Sequence, residues 1–200
     1  MMVVTVNDGT REQTYVSTAS PAFQFTYEDY RTAPPDKRYE LLDGKLLLTP
    51  APNLKHQRLQ LRLGMRLAQF IEERRLGELF FAPCDVVLSD TDVVQPDLLF
   101  VSNERNHLLL GGDNVRGGPD LVVEILSPAT AERDRGCKRT LYAKHGVKEY
   151  WLVDPATETV TILRPRAGAL EVAHTFGRNE TLRSPLLAGL ALGLEDIFSS

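Results

Sequence analysis

Only two cysteines, Cys84 and Cys137, occur in 200 residues. Two thiols cannot build a disulfide framework, and they lack the partners for a zinc cluster. There is no excess of positive charge: 23 Lys and Arg stand against 27 Asp and Glu, a formal net charge of −4. That balance disfavours a globally basic nucleic-acid binder. It leaves a local basic patch open, because attraction to phosphate follows local charge. No apolar run approaches the roughly 20 residues that span a bilayer. The opening MMVVTVNDGT has neither a basic nor an apolar region, so no signal peptide and no membrane partner are expected, and the expected setting is a reduced cytoplasm. The twelve Pro and fourteen Gly follow no period, which excludes fibrous architectures.

What is present is a globular composition, 42% hydrophobic and 25% charged, at a length expected for one domain. Residues 1–25 are rich in Thr, Ser and small side chains and are expected to form a flexible arm, leaving residues 26–200 as the domain. A short helix is predicted over residues 26–33, opened by a Thr26–Asp29 capping box and ended by Pro34-Pro35. RYELLDGKLLLTP predicts a hairpin turning at Asp43-Gly44. Over residues 56–77 the leucines fit both a strand alternation and a helical stripe. A length above twenty residues without proline decides for a helix, with Gly77 as its cap and Arg58, Arg62 and Arg66 as a basic ridge.

APCDVVLSD and VVQPDLLFV predict two strands paired across a turn near Asp90–Asp92, followed by a polar loop over residues 102–118. LVVEILS (121–127) is apolar on both faces and predicts a central strand stopped by Pro128. A helix between Thr130 and Gly146 leads to a last hairpin, KEYWLVDP with TVTILRP. The tail LLAGLALGLEDIFSS shows no clear period. The expected class is α/β, a mixed sheet flanked by helices.

Glu124 interrupts the central strand. A carboxylate there needs either a salt bridge or a bound cation, and the residue type alone leaves both open. Asp97, after Pro96, fits a turn carboxylate or a second ligand on a neighbouring strand about 4.8 Å away. Asp120 shares the face of Glu124, but four residues of strand span about 13 Å, whereas a hard cation holds its oxygens at about 2.0–2.6 Å. Asp120 is therefore excluded as a co-ligand. Lys138 fits an exposed i,i+4 pair with Asp134. A crossover helix antiparallel to its strand would also return Lys138 to the level of Glu124.

The series RYELLDGKL, a helix opened by His56-Gln57, VVQPDLLFV, PDLVVEILSPAT and DRGCKRTLYAKHGVKEYWLVDP closely resembles the Uma-type family of putative restriction endonucleases, within the PD-(D/E)XK nuclease superfamily. The resemblance covers roughly residues 26–200. It implies a restriction-endonuclease-like core with extra N-terminal and C-terminal hairpins. It also implies catalytic residues Asp97, Glu124, Lys138 and Glu40, with Asp97 and Glu124 as metal ligands. The strand motif E-x-K reads Glu124-Ile125-Leu126 here, and the resemblance places its lysine on the following helix, at Lys138.

The implied function is Mg²⁺-dependent hydrolysis of DNA phosphodiesters, with Mn²⁺ as a possible substitute and a homodimer as the assembly that would cut both strands. Without metal, three converging carboxylates are expected to raise at least one pKa. His56 fits a helix-start residue bonding backbone, or a substrate contact together with Arg58 and Arg62. Tyr150-Trp151 are expected in the core or a dimer surface. The competing function is a nuclease-fold module that binds nucleic acid or assembles without turnover. A sugar or nucleotide hydrolase has less support, since no phosphate-cradling glycine loop is present.

Overall fold

A computed structural model describes residues 24–199. The expected arm over residues 1–25 lies, but for its last two positions, outside the described residues. Helix α1 (Tyr27–Arg31) opens with the Thr26–Asp29 capping box, and Phe25 is tied by its N–H to the Gly44 carbonyl. The strands β1 (Arg38–Leu42) and β2 (Lys45–Thr49) form the hairpin. Asp43 and Gly44 both adopt positive φ at its turn, the backbone that a tight two-residue hairpin requires.

Helix α2 (Leu54–Arg74) starts two residues before the predicted point, because the Asn53 side chain accepts the His56 N–H and caps it there. It ends at Arg75, which is left-handed with φ 54°. Gly77 is therefore not the cap. It opens a strand the sequence reading missed, β3 (Gly77–Phe81). A Cβ at Gly77 would sit 2.1 Å from the Val101 carbonyl oxygen, so the close strand approach demands glycine.

The segment VVQPDLLFV is not one strand. It divides into β5 (Asp92–Val94), paired antiparallel with β4 (Val86–Ser89), and β6 (Leu98–Ser102). Proline cannot donate to a ladder, and at Pro96 the chain leaves one sheet for another. The expected loop over residues 102–118 contains a 3-10 helix (Asn103–Leu109) and the two-residue β7 (Val115–Arg116).

Central strand β8 (Leu121–Ile125) is followed by a continuous helical run: α3 (Ala131–Arg133), a π-turn (Asp134–Lys138) and α4 (Arg139–Lys144). Thr130 precedes it without a side-chain capping bond; its hydroxyl instead bonds that of Ser127. The final hairpin, β9 (Glu149–Asp154) and β10 (Thr159–Arg166), gains a third strand, β11 (Ala169–Gly177). β12 (Thr181–Leu182) precedes the tail and pairs with the tail's short β13 (Leu192–Gly193), which leads into α5 (Leu194–Phe198).

The class is mixed α/β, as expected, but the strands divide between two main sheets. One has the order β2-β1-β5-β4-β7 and the other β11-β10-β9-β8-β6-β3. In the larger sheet β8 and β9 run parallel, joined by the crossover helix. Leu121, Val123 and Ile125 face a core built with α2 and α5. Val122 and Leu126 face the other core, with Tyr142, Tyr150 and side chains of the smaller sheet. Burial on both faces explains the apolar run at residues 121–127. No helix among the described residues is long and apolar enough to cross a membrane.

Candidate active site

The site forms where the two sheets meet. Proline at 96 ends the smaller sheet's strand, and Asp97 follows immediately at the entry to β6. β6 and β8 are antiparallel with Leu98 opposite Val123, so one step further along the register Asp97 faces Glu124. The Ile125 N–H donates to Asp97 Oδ2 at 2.7 Å, and the imidazole Nε2 of His56 lies 3.1 Å from the same oxygen. The His56 backbone N–H does bond Asn53 at the helix start. Its ring, however, turns toward Asp97.

Glu124 accepts two hydrogen bonds on Oε1, each 2.8 Å long, from Lys138 Nζ and from the Tyr142 hydroxyl. Glu40, on β1 of the other sheet, meets Lys138 Nζ at 2.7 Å and Arg133 at 3.4 Å, and accepts the Gln95 N–H. Asp134 lies 3.3 Å from Lys138 Nζ. The i,i+4 partners Asp134 and Lys138 are thus not an exposed surface pair. They are 1% and 3% exposed, and Lys138 is ringed by three carboxylates. Asp134, Lys138 and Tyr142 recur every four residues, a helical stripe turned onto the strand. That stripe is the signal that could have identified Asp134 and Tyr142 in advance.

Burial pushes the Glu124 carboxyl well above the ordinary range. Lys138 pulls against this, while Asp134, Asp97 and Glu40 reinforce it. For Glu40 burial also works upward, but Lys138 and Arg133 outweigh it and hold the group low. Burial opposes the Lys138 charge, yet Glu124, Glu40 and Asp134 together keep the amine protonated well above its usual range. Lys138 is therefore a charged donor in this arrangement, poorly suited to removing a proton from water.

Asp97, Glu124, Glu40, Lys138 and His56 line a single pocket of about 630 Å³. The basic ridge does not join them. Arg58 is exposed on α2, Arg62 donates to the carbonyls of Ile197 and Ser199, and Arg66 pairs with Asp196. Asp120, excluded above by distance, accepts the Ser102 N–H and pairs with Lys148 at 2.7 Å.

Among the described residues no three His, Cys, Asp or Glu side chains are grouped to cage a metal by themselves. Two hard carboxylates nonetheless each keep an oxygen without a protein partner: Oδ1 of Asp97 and Oε2 of Glu124. That donor set suits Mg²⁺ or Mn²⁺, since Mg²⁺ is usually bound through one or two carboxylates and completes its octahedron with water and phosphate oxygens.

No curated protein matched the chain. Among solved structures, that of a putative nuclease from Anabaena variabilis ATCC 29413 matches with a TM-score of 0.74 and 23% identity, over 88% of this chain and 98% of that one. At that identity the likeness concerns the fold, which is restriction-endonuclease-like. The model of the Uma2 family, described as putative restriction endonuclease, matches residues 26–195, most of the chain from α1 to α5. The chain belongs to the Uma2 family.

Proposed function

We propose that this protein is a divalent-metal-dependent DNA endonuclease whose catalytic residues are Asp97, Glu124, Lys138 and Glu40. One observation carries the reading. Nine buried side-chain polar atoms among the described residues lack a hydrogen-bond partner, and five of them belong to residues lining this pocket: Glu40 Oε2 and Asp134 Oδ1, which have only ion contacts with Arg133 and Lys138, and Thr49 Oγ1, His56 Nδ1 and Arg133 Nε. Buried polar atoms are normally paired. Such a concentration of unsatisfied polar atoms supports a site completed by a ligand.

Charge supports the same conclusion. Four carboxylates (Glu40, Asp97, Glu124, Asp134) gather around Lys138 and Arg133, while the pocket lining as a whole is balanced, with Asp154 as a fifth acid and Arg38, Lys55 and Arg135 as further cations. A divalent cation held by Asp97 and Glu124 would offset the local excess of acid around Lys138.

Asp97 and Glu124 would hold the metal through their unengaged oxygens. When bound, Mg²⁺ supplies charge neutralisation at the phosphate and acidifies a coordinated water. The chain's own groups prepare the site. The Ile125 N–H and His56 fix the Asp97 carboxylate. Lys138 is held as a cation among Glu124, Glu40 and Asp134, where it can donate to a phosphate oxygen as negative charge develops. Glu40 anchors both Lys138 and Arg133 from the other sheet, so the cationic side of the pocket depends on the two sheets staying docked. Double-strand cleavage would need two such sites related by a dyad, as in a homodimer.

The decisive measurement is nicking of supercoiled plasmid with Mg²⁺, Mn²⁺ or chelator. Metal-dependent nicking that chelator abolishes, and that Glu124→Ala eliminates, supports the reading. Binding or self-association with no turnover under any metal would assign the chain instead to a nucleic-acid-binding or assembly role on a nuclease fold.

A further inference from the structure

We infer that Tyr142 and Tyr150 are positioning residues of this site: Tyr142 fixes which oxygen of Glu124 remains for a ligand, and Tyr150 braces the π-turn that carries Asp134 and Lys138 inward. The inference rests on the metal-binding reading of Asp97 and Glu124 above.

Both rings are completely buried. A buried phenol must find an acceptor, and backbone carbonyls are the commonest supply. Tyr142 instead donates to Glu124 Oε1 at 2.8 Å, the same atom that receives Lys138 Nζ. Two donors on one oxygen lock the carboxylate's rotation and leave Oε2 as the single oxygen without a protein partner. A carboxylate ordered this way presents one preset lone-pair direction to a cation, and its rotational entropy is already lost before binding.

Tyr150 acts on the helix. Its hydroxyl donates at 2.9 Å to the backbone carbonyl of Asp134, the first residue of the π-turn. A π-turn accommodates one extra residue in the ladder with poorer bond geometry than an α-turn, and such turns are frequent at functional sites. Here it spans Asp134–Lys138, so the two inward charged side chains stand at its two ends. Tyr150 lies opposite Val122 in the β8–β9 register, two residues from Glu124 on the same face. The rings of Tyr142 and Tyr150 meet edge to face, with centroids 5.0 Å apart. The crossover helix is thereby braced against the strand that bears Glu124, with one hydroxyl reaching each side of the Lys138–Glu124 contact.

Phenylalanine at either position keeps the ring packing and removes only the hydroxyl, which separates positioning from core filling. The test titrates Mn²⁺ into the full-length wild type, Tyr142→Phe and Tyr150→Phe by calorimetry, without substrate, with thermal melting run alongside. Loss of an outer-shell partner of a metal ligand typically weakens binding 10–100-fold. Tyr142→Phe is accordingly expected to bind Mn²⁺ about tenfold more weakly at unchanged stoichiometry. Tyr150→Phe is expected to show a smaller loss that still exceeds twofold. If Tyr142→Phe does not fold, Tyr150→Phe decides alone. Folded variants that bind Mn²⁺ within twofold of wild type, whatever their melting temperatures, overturn the inference and reduce the tyrosines to core packing. A wild type that binds no Mn²⁺ overturns the metal-binding reading and takes this inference with it.

Discussion

The parallel pair β8–β9 carries buried carboxylates at both ends, and the two ends are built to opposite specifications. At the end where the strands begin, Asp120 and Glu149 are completely buried. Glu149 Oε1 accepts the Leu186 N–H, and Oε2 accepts both Trp151 Nε1 and the Ser184 hydroxyl. Asp120 Oδ2 takes the Ser102 N–H, and Oδ1, which has no hydrogen-bond partner, is met by the cations of Lys148 at 2.7 Å and Arg105 at 3.8 Å. Lys148 and the Ser102 N–H outweigh burial and hold its carboxyl below the usual range. At the far end Glu124 keeps Oε2 unengaged, and burial with neighbouring carboxylates drives its carboxyl in the opposite direction. The contrast teaches how to separate structural from functional buried charge. A carboxylate whose oxygens all meet a donor or a cation of the chain holds the fold together, while one that turns an oxygen meeting neither into a pocket is a candidate for a ligand.

That distinction can be broken experimentally, and the largest effect should fall on chemistry. Glu124→Ala and Asp97→Ala are each expected to reduce metal-dependent plasmid nicking on the order of a thousandfold or more, while circular dichroism shows a folded chain. Lys138→Met should abolish nicking and also destabilise, because Glu124 and Glu40 lose their shared cation. Breaking a buried pair from one side costs about 3–5 kcal/mol, readable in a urea titration. If Lys138→Met proved more stable than the wild type, the amine would not be the keystone described here.

At the opposite end the expectation inverts. Glu149→Ala strands the indole N–H, the Ser184 hydroxyl and the Leu186 N–H, and each unsatisfied buried group costs about 1–3 kcal/mol. A marked fall in melting temperature with Mn²⁺ affinity per folded molecule unchanged would sharpen the comparison. Retained stability would erase it.

The same end should govern part of the acid sensitivity. The folded Asp120 carboxyl sits below its unfolded value of about 3.9. Below that value the unfolded chain binds the proton first, so the stability contributed by Asp120 is complete above about pH 4 and is lost as pH falls through the folded pKa. Asp120→Asn is expected to be less stable at neutral pH and to lose less stability between pH 4 and pH 2. Urea midpoints across that window check it, and a variant whose acid dependence parallels the wild type would show that Asp120 is not displaced.

The smallest effect belongs to the exposed pair Arg66–Asp196 at 3.5 Å. Arg66→Ala should change stability by less than about 1 kcal/mol and leave nicking unaltered, since the residue lies outside the pocket. A large loss of DNA cleavage would restore the α2 ridge as a binding surface.

Much of the molecule was legible beforehand for identifiable reasons. The capping box at Thr26–Asp29, the Asp43-Gly44 hairpin and the two-faced strand around Glu124 are encoded in local pattern. Asp97 could be preferred to Asp120 because strand rise alone separates Asp120 from Glu124. What escaped had no local signature. In GELFF, Gly77 fits a helix cap and residues 78–81 show no signature of their own, since one left-handed residue at Arg75 suffices to reverse the chain. Gln95-Pro96 looked like an interruption within a strand rather than a passage between sheets. Arg62 and Arg66 read as a free ridge because their partners lie more than 120 residues away, in the tail.

The sequence by itself determined which segments bear the acids, the amine and the central strand, because alternation, capping and proline placement act within a few residues and need no distant partner. Only the tertiary structure decided that Glu40 from one sheet, Asp97 from the passage between sheets, Glu124 from the other and Lys138 from the crossover helix share one pocket. Burial, and with it the direction in which each charge is displaced, comes from what packs around a group, and those neighbours are assembled from stretches far apart in the chain.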